Sequence, residues 1–165
     1  MNSPPSVREL LRKLADAMRP QVGPATILVG IHTGGVWVAE WLHQALGLGS
    51  QLGSIDVSYH RDDLHLGGGR SGGRASQLPF DIEGAHLIIV DDVLYTGRTI
   101  RAAMNELFDY GRPAQIDLAV LVDRGGRELP IAATWCAGTF VLPASQTLEL
   151  TRADDGELLF RITEK

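Results

Sequence analysis

The chain has 165 residues, enough for about one domain with a real core, of which 44% are hydrophobic and 21% charged. A formal net charge of −5 argues against a protein whose main work is gripping a phosphate backbone, and a single cysteine, Cys136, excludes an internal disulfide or a CxxC metal site. No apolar run reaches membrane-spanning length and no signal peptide opens the chain, so the expectation is a cytoplasmic protein with one domain over residues 1–165.

The elements follow in chain order. Val7, Leu10, Leu11, Leu14 and Met18 lie at helical spacing over 6–18, with Ser6 as the cap and Glu9 three residues on. Pro20 and the VGP at 22–24 end that helix. Residues 26–31, TILVGI, read as a buried parallel strand. Thr33, Gly34 and Gly35 turn the chain into a second amphipathic helix that ends near Gly47. A strand is expected over 53–59, then a long glycine-rich mobile loop over about 61–77. Residues 86–90 (HLIIV) are a strand, 98–109 a helix and 115–122 a strand. Short strand-like runs near 133–136, 147–151 and 157–162 close the chain. Strands alternating with helices point to an α/β protein, a mostly parallel sheet with helices on both faces.

In such sheets ligands bind beyond the carboxyl ends of the strands. The turn after HLIIV carries the chemistry. Asp91 and Asp92 stand at the strand end, where adjacent carboxylates can accept hydrogen bonds from the vicinal hydroxyls of a ribose. Thr96, Gly97, Arg98 and Thr99 then open onto a helix, and their N–H groups and hydroxyls suit a phosphate monoester. Two acidic residues alone are common on surfaces. An apolar strand, two acids and a T-G-x-T nest at a helix start form a far more demanding pattern, and it matches a ribose 5-phosphate in size.

With its flanks, this segment resembles the signature that type I phosphoribosyltransferases use for phosphoribosyl pyrophosphate (PRPP). More narrowly the chain resembles the PyrR family, pyrimidine operon regulators that are also uracil phosphoribosyltransferases. The resemblance rests on ILVGIHTGG at 27–35, RDDL at 61–64, LPFDI at 78–82, VDDVLYTGRTIRAAM at 90–104, GRP at 111–113 and LAVLVDRGGRELPI at 118–131. It implies the type I phosphoribosyltransferase fold, with a flexible loop and a small hood within the C-terminal stretch 133–163. The implied reaction joins uracil and PRPP to give UMP and diphosphate, with Mg²⁺ carried by the PRPP. Asp91 and Asp92 would be catalytic and hold the ribose. Val93, Leu94, Tyr95, Thr96, Gly97, Arg98 and Thr99 would surround the 5′-phosphate, with Thr33, Gly34, Arg61 and Asp62 at the diphosphate. Arg70 and Arg74 are further candidates for it. Asp123, Arg124, Val141 and Leu142 would lie near the base, the hood corresponding to Phe140–Pro143; for Val141 and Leu142 a core role is an equal alternative. Relatives assemble as homodimers or homotetramers.

Members of the family that attenuate transcription bind a leader RNA through a basic face. Here there are two lysines, Lys13 and Lys165. Gly126 stands where attenuating members often carry His, and Gly34 where many relatives carry Arg. Arg8, Arg12, Lys13 and Arg19 form a basic helix face, and Arg124 and Arg127 are candidate remnants of an RNA surface. An RNA-binding attenuator with weak catalysis and a purine phosphoribosyltransferase therefore stand as alternatives. The histidines His32, His43, His60, His65 and His86 show no metal spacing. Trp37 and Trp41, four apart on a helix, read as core or subunit interface, and Cys136 as structural.

Overall fold

The computed structural model describes residues 3–58 and 75–165. Helix α1 (Val7–Met18) starts at Ser6, whose hydroxyl accepts from the Glu9 N–H, and it buries Leu10, Leu11, Leu14 and Met18. A 3-10 turn at Arg19–Gln21 leads to strand β1 (Ile27–Ile31). Helix α2 (Gly34–Ala45) begins at the glycines themselves rather than after them. Strand β2 (Gly53–Ile55) is shorter than the 53–59 expected. Strand β3 (His86–Leu94) runs four residues beyond Val90 and carries both acids inside the ladder, and helix α3 (Arg98–Tyr110) follows. Strands β4 (Gln115–Asp123), β5 (Trp135–Thr139), β6 (Gln146–Arg152) and β7 (Leu158–Glu164) complete the order.

Strands β2-β1-β3-β4-β5 form one sheet in which every neighbouring pair is parallel, while β6 and β7 pair antiparallel as a separate hairpin. Alternation along β3 divides the core. Ile88 and Val90 face α1, α2 and the hairpin residues Leu148, Leu150 and Phe160. Leu87 and Ile89 face Ile100, Ala103 and Leu107 of α3. Each such fully buried apolar side chain contributes about 1.5–3 kcal/mol, an upper figure because unfolded chains are already partly collapsed.

The strand order reverses between β1 and β3, which opens a crevice at their carboxyl ends. Two glycines let α2 settle into that end of the sheet. A Cβ on Gly30 would lie 2.7 Å from the Val36 Cα, and one on Gly35 would meet the Val90 carbonyl and lie 3.1 Å from the Asp91 Cα. The loop expected over 61–77 falls mostly outside the described residues, and Arg61, Asp62, Arg70 and Arg74 fall there too. Its last residues return to the sheet, Gln77 exchanging backbone hydrogen bonds of 2.8 and 2.9 Å with Ser54.

Candidate active site

Parallel register sets the site. Asp91 pairs with Val120 and Leu94 with Asp123, so the turns after β3 and β4 leave the sheet side by side. Asp91 is buried at 7% exposure, and its Oδ1 accepts the Asp92 N–H at 2.9 Å. Asp92 is half-buried, and its Oδ1 accepts the Val93 N–H at 2.8 Å. Each carboxylate is therefore oriented by the next peptide. The Asp92 side chain also lies against the start of α2, where a Cβ on Gly34 would meet its Oδ2 and come within 2.8 Å of its Cγ. Thr33, the residue before α2, and Gly34 thus stand beside the acid pair. Val93 and Leu94 turn their side chains into the two core layers, so only their backbone is near the turn.

Beyond Leu94 the chain makes the phosphate-type turn. Gly97 caps α3 with φ of 95°, a left-handed conformation that favours glycine, and a Cβ there would lie 3.0 Å from Ile131. The Thr96 hydroxyl accepts the Arg98 N–H at 3.2 Å, and Thr99 lies in the first helical turn. Arg98 is exposed and reaches across to Glu128, Nε to Oε2 at 2.9 Å.

The turn after β4 is bound onto this one. The Glu128 and Leu129 N–H groups donate to the Thr96 carbonyl at 2.9 and 3.1 Å, and the Arg124 N–H to the Leu94 carbonyl at 3.0 Å. Arg127 donates to the Tyr95 carbonyl and to Asp123, each at 2.5 Å. Burial alone would raise the Asp123 carboxyl, but the hydrogen bond from Arg127, the Gly125 N–H and the Arg127 charge outweigh it and hold its pKa below the usual value. Arg127, expected as a remnant of an RNA surface, is thus turned inward. Arg124 is buried beneath the Tyr95 ring, with its guanidinium on the carbonyls of Pro143 and Gln146 instead of facing the open crevice. Val141 projects at 75% exposure, whereas Leu142 packs on the core, so the two hood candidates divide. Trp37 and Trp41 also pack on that core, with Arg152 over the Trp37 ring.

The sequence showed Gly35 only as part of the turn before α2, not its packing on Asp91, and it did not show the contact at Gly126, where a Cβ would collide with the Tyr95 ring, 2.9 Å from its Cδ1. DRGGREL signalled that segment, but only the fold brings it to Tyr95. Among the described residues no group of three or more His, Cys, Asp or Glu could hold a metal, and no helix is long and apolar enough to cross a membrane. An acid pair with hard oxygen donors nonetheless fits Mg²⁺ of the kind held by one or two carboxylates and a substrate phosphate.

A parallel α/β sheet with an acid pair and a helix-capping turn at its crossover is the architecture of a phosphoribosyltransferase, and residues 3–142 match the phosphoribosyl transferase domain family. Solved phosphoribosyltransferase structures share the fold. A hypoxanthine-guanine phosphoribosyltransferase from Bacillus anthracis superimposes with a TM-score of 0.66 at 16% identity, over 85% of this chain and 84% of that one. A hypoxanthine phosphoribosyltransferase from Staphylococcus aureus gives 0.62 at 18% identity, over 82% and 75%. Sequence relatives are nearer: the bifunctional protein PyrR of Pseudomonas putida is 46% identical over 151 residues, 89% of this chain and 88% of that protein. That of Pseudomonas paraeruginosa is 49% identical over 150 residues, 88% of each. The chain belongs to the PyrR family of phosphoribosyltransferases.

Proposed function

We propose that the chain transfers the phosphoribosyl group of PRPP to uracil, forming UMP and diphosphate. The observation that carries the reading is the acid pair Asp91–Asp92 at the end of β3, oriented by its own backbone and set directly before the Thr96–Thr99 turn. In the reaction the anomeric C–O bond to diphosphate breaks, a C–N bond to the base forms, and the base loses its N–H proton. Positive charge grows on the ribose as the diphosphate leaves. Asp91 and Asp92 hold the ribose hydroxyls and stabilise that charge in a site of restricted water. The Thr96–Thr99 backbone and hydroxyls take the 5′-phosphate, and Thr33 and Gly34 lie against the diphosphate. Asp91 and Asp92 are the carboxylates that would hold Mg²⁺ together with the substrate, and the ion would supply positive charge for the departing diphosphate. Arg61 and Asp62 are assigned to the diphosphate, and the 61–77 loop to excluding water, by family resemblance. Asp123 and the exposed Val141 are the candidates to meet the base, with Leu142 beneath.

The word bifunctional in the names of the relatives, together with the exposed Arg8, Arg12, Lys13 and Arg19 on α1, supports a second activity, binding of a pyrimidine-operon leader RNA. Assembly as a homodimer or homotetramer is part of the same proposal. Diphosphate release from PRPP against uracil, hypoxanthine and guanine tests the first activity. Uracil should be consumed only with Mg²⁺, and the paired D91N/D92N variant should lose at least about a hundredfold in rate. No turnover of uracil above the control without base would overturn the reading.

A further inference from the structure

Where α1, α2 and the turn between β6 and β7 meet, they leave an open cavity of about 370 Å³ whose lining takes no part in the proposed phosphoribosyl transfer. Its floor is apolar. Val7 and Leu11 of α1 are buried there, with Trp41 of α2 and Leu158 of β7 half-buried beside them. Its rim is charged, with Arg8 on α1 and Asp155 and Glu157 on the turn, all three exposed. Trp41 sits about two turns along α2 from Gly34, on the order of 10 Å, so the cavity is a separate place from the acid pair. Trp37, one turn earlier, is already covered by Arg152, whose Cζ lies 4.8 Å from the ring centre, whereas Trp41 lines the cavity.

The two acids are held in place by their own turn. Gly156 takes a left-handed φ of 88°, the Ala153 N–H donates to the Glu157 carbonyl at 2.8 Å, and the Gly156 N–H donates to the Ala153 carbonyl at 2.9 Å. Asp155 Oδ1 accepts the Glu157 N–H at 3.0 Å. Asp155 Oδ2, the Glu157 carboxylate and the Arg8 guanidinium have no hydrogen bond or ion pair among the described residues. Opposite charges therefore face one cavity without closing on each other. The volume lies at the low end of ligand pockets, about 300–1,000 Å³, which suits a small molecule. The apolar floor disfavours a wholly polar ligand, because its groups would lose water without finding partners. A simple anion meets two carboxylates at the rim, and a simple amine leaves Arg8 unused. A ligand that answers all of these carries an ammonium and a carboxylate close together above an apolar body.

We propose that this cavity binds an apolar α-amino acid. The side chain lies against Trp41, Val7, Leu11 and Leu158, the α-ammonium turns to Asp155 and Glu157, and the α-carboxylate turns to Arg8. Burial of the side chain supplies most of the affinity, and the rim charges choose the ligand. The site stands apart from the phosphoribosyl chemistry and does not depend on that reading.

Calorimetric titration of L-phenylalanine into the full chain tests this, beside 2-phenylethylamine, 3-phenylpropionate and L-aspartate. Phenylalanine should bind with a Kd of about 1 mM or tighter. Each analogue that lacks one charged group should bind about threefold or more weakly, the scale of an exposed ion pair. Arg8→Gln and Glu157→Gln, both at exposed positions, should each weaken phenylalanine about threefold, and together about tenfold, with thermal melts showing that the variants are folded. No binding of phenylalanine up to about 10 mM would overturn the proposal. Equal binding of the amine or of the acid would overturn it too, because the cavity would then be an apolar patch alone. Aspartate binding as tightly as phenylalanine would remove the role of the apolar floor and sink it. Phenylalanine binding that the double variant leaves unchanged would place the ligand elsewhere and overturn it as well.

Discussion

Gly34 lies against Asp92, proposed above as a catalytic acid, and that contact decides what a substitution there would do. A Cβ would press on Asp92 Oδ2 and come within 2.8 Å of its Cγ, while Oδ1 is held by the Val93 N–H, so Gly34→Ala should cost about 1–3 kcal/mol in stability as the side chain is pushed aside. The displaced carboxylate should nevertheless lower turnover about tenfold or more, since small misplacements of a catalytic group are expensive. Steady-state rates and melting curves on the same sample would separate the two effects. Gly126 differs, for its φ of 76° is left-handed and its Cβ would strike the Tyr95 ring. Gly126→His should therefore destabilise by about 1–2 kcal/mol from backbone strain alone, read as a shift in the urea midpoint. Asp123 gives a pH signature. Its carboxyl titrates below its ordinary range when folded, so its stabilising contribution is complete above roughly pH 4 and is lost as the pH falls through the folded value. The stability difference between wild type and D123N should be flat from about pH 7 to 5 and shrink toward pH 3. Asp117 behaves in the same direction at the far end of the sheet: burial is outweighed there by hydrogen bonds from His86, Gln115 and Thr134.

Among the elements, β3 shows best where reading the residues stopped short. Carboxylates are poor strand formers, so the expected strand ended at Val90. The observed strand continues because β4 keeps offering backbone partners, through Val122 opposite Val93 and Asp123 opposite Leu94, and because Gly35 lets α2 cover Asp91. The short β2 is the converse, since β1 ends at Ile31, opposite Ile55. Helix α3 was legible in full, as Ile100, Ala103 and Leu107 recur at its period and Gly97 and Gly111 bracket it. Leu107 is fully buried against the sheet, so Leu107→Ala should cost about 2–5 kcal/mol by chemical denaturation. Because α3 opens at the proposed phosphate turn, ribose 5-phosphate should stabilise that variant and the wild type alike, an increment that denaturation with and without it would show.

At the scale of the whole molecule, charge limits the second activity. The net charge is −5, and Arg124 and Arg127 are turned into the site, whereas Arg8, Arg12 and Lys13 of α1 and Arg19 just after it are exposed. Arg19 is itself paired with Asp16 at 2.7 Å. Four cations on a single-stranded RNA should give a salt dependence no steeper than about −3 in log–log slope, measurable by filter binding across a salt series. Arg8→Glu with Arg12→Glu should abolish that binding and leave UMP formation intact; a steeper slope, or binding that survives, would place the RNA elsewhere.

By itself the sequence determined the periodic elements, the parallel α/β class and the contiguous acid-pair turn before α3, because periodicity and a contiguous turn are local properties that short stretches of chain carry whole. It left the directions of Arg124 and Arg127 open and Val141 and Leu142 equal, because burial depends on what lies opposite. Only the tertiary structure decided those. The register of β3 on β4 sets the DRGGREL turn against Tyr95, and the return of the chain through β6 and β7 brings Pro143, Gln146 and Lys165 around the same ring. Contacts between residues twenty to seventy positions apart are made by packing, and no local pattern encodes them.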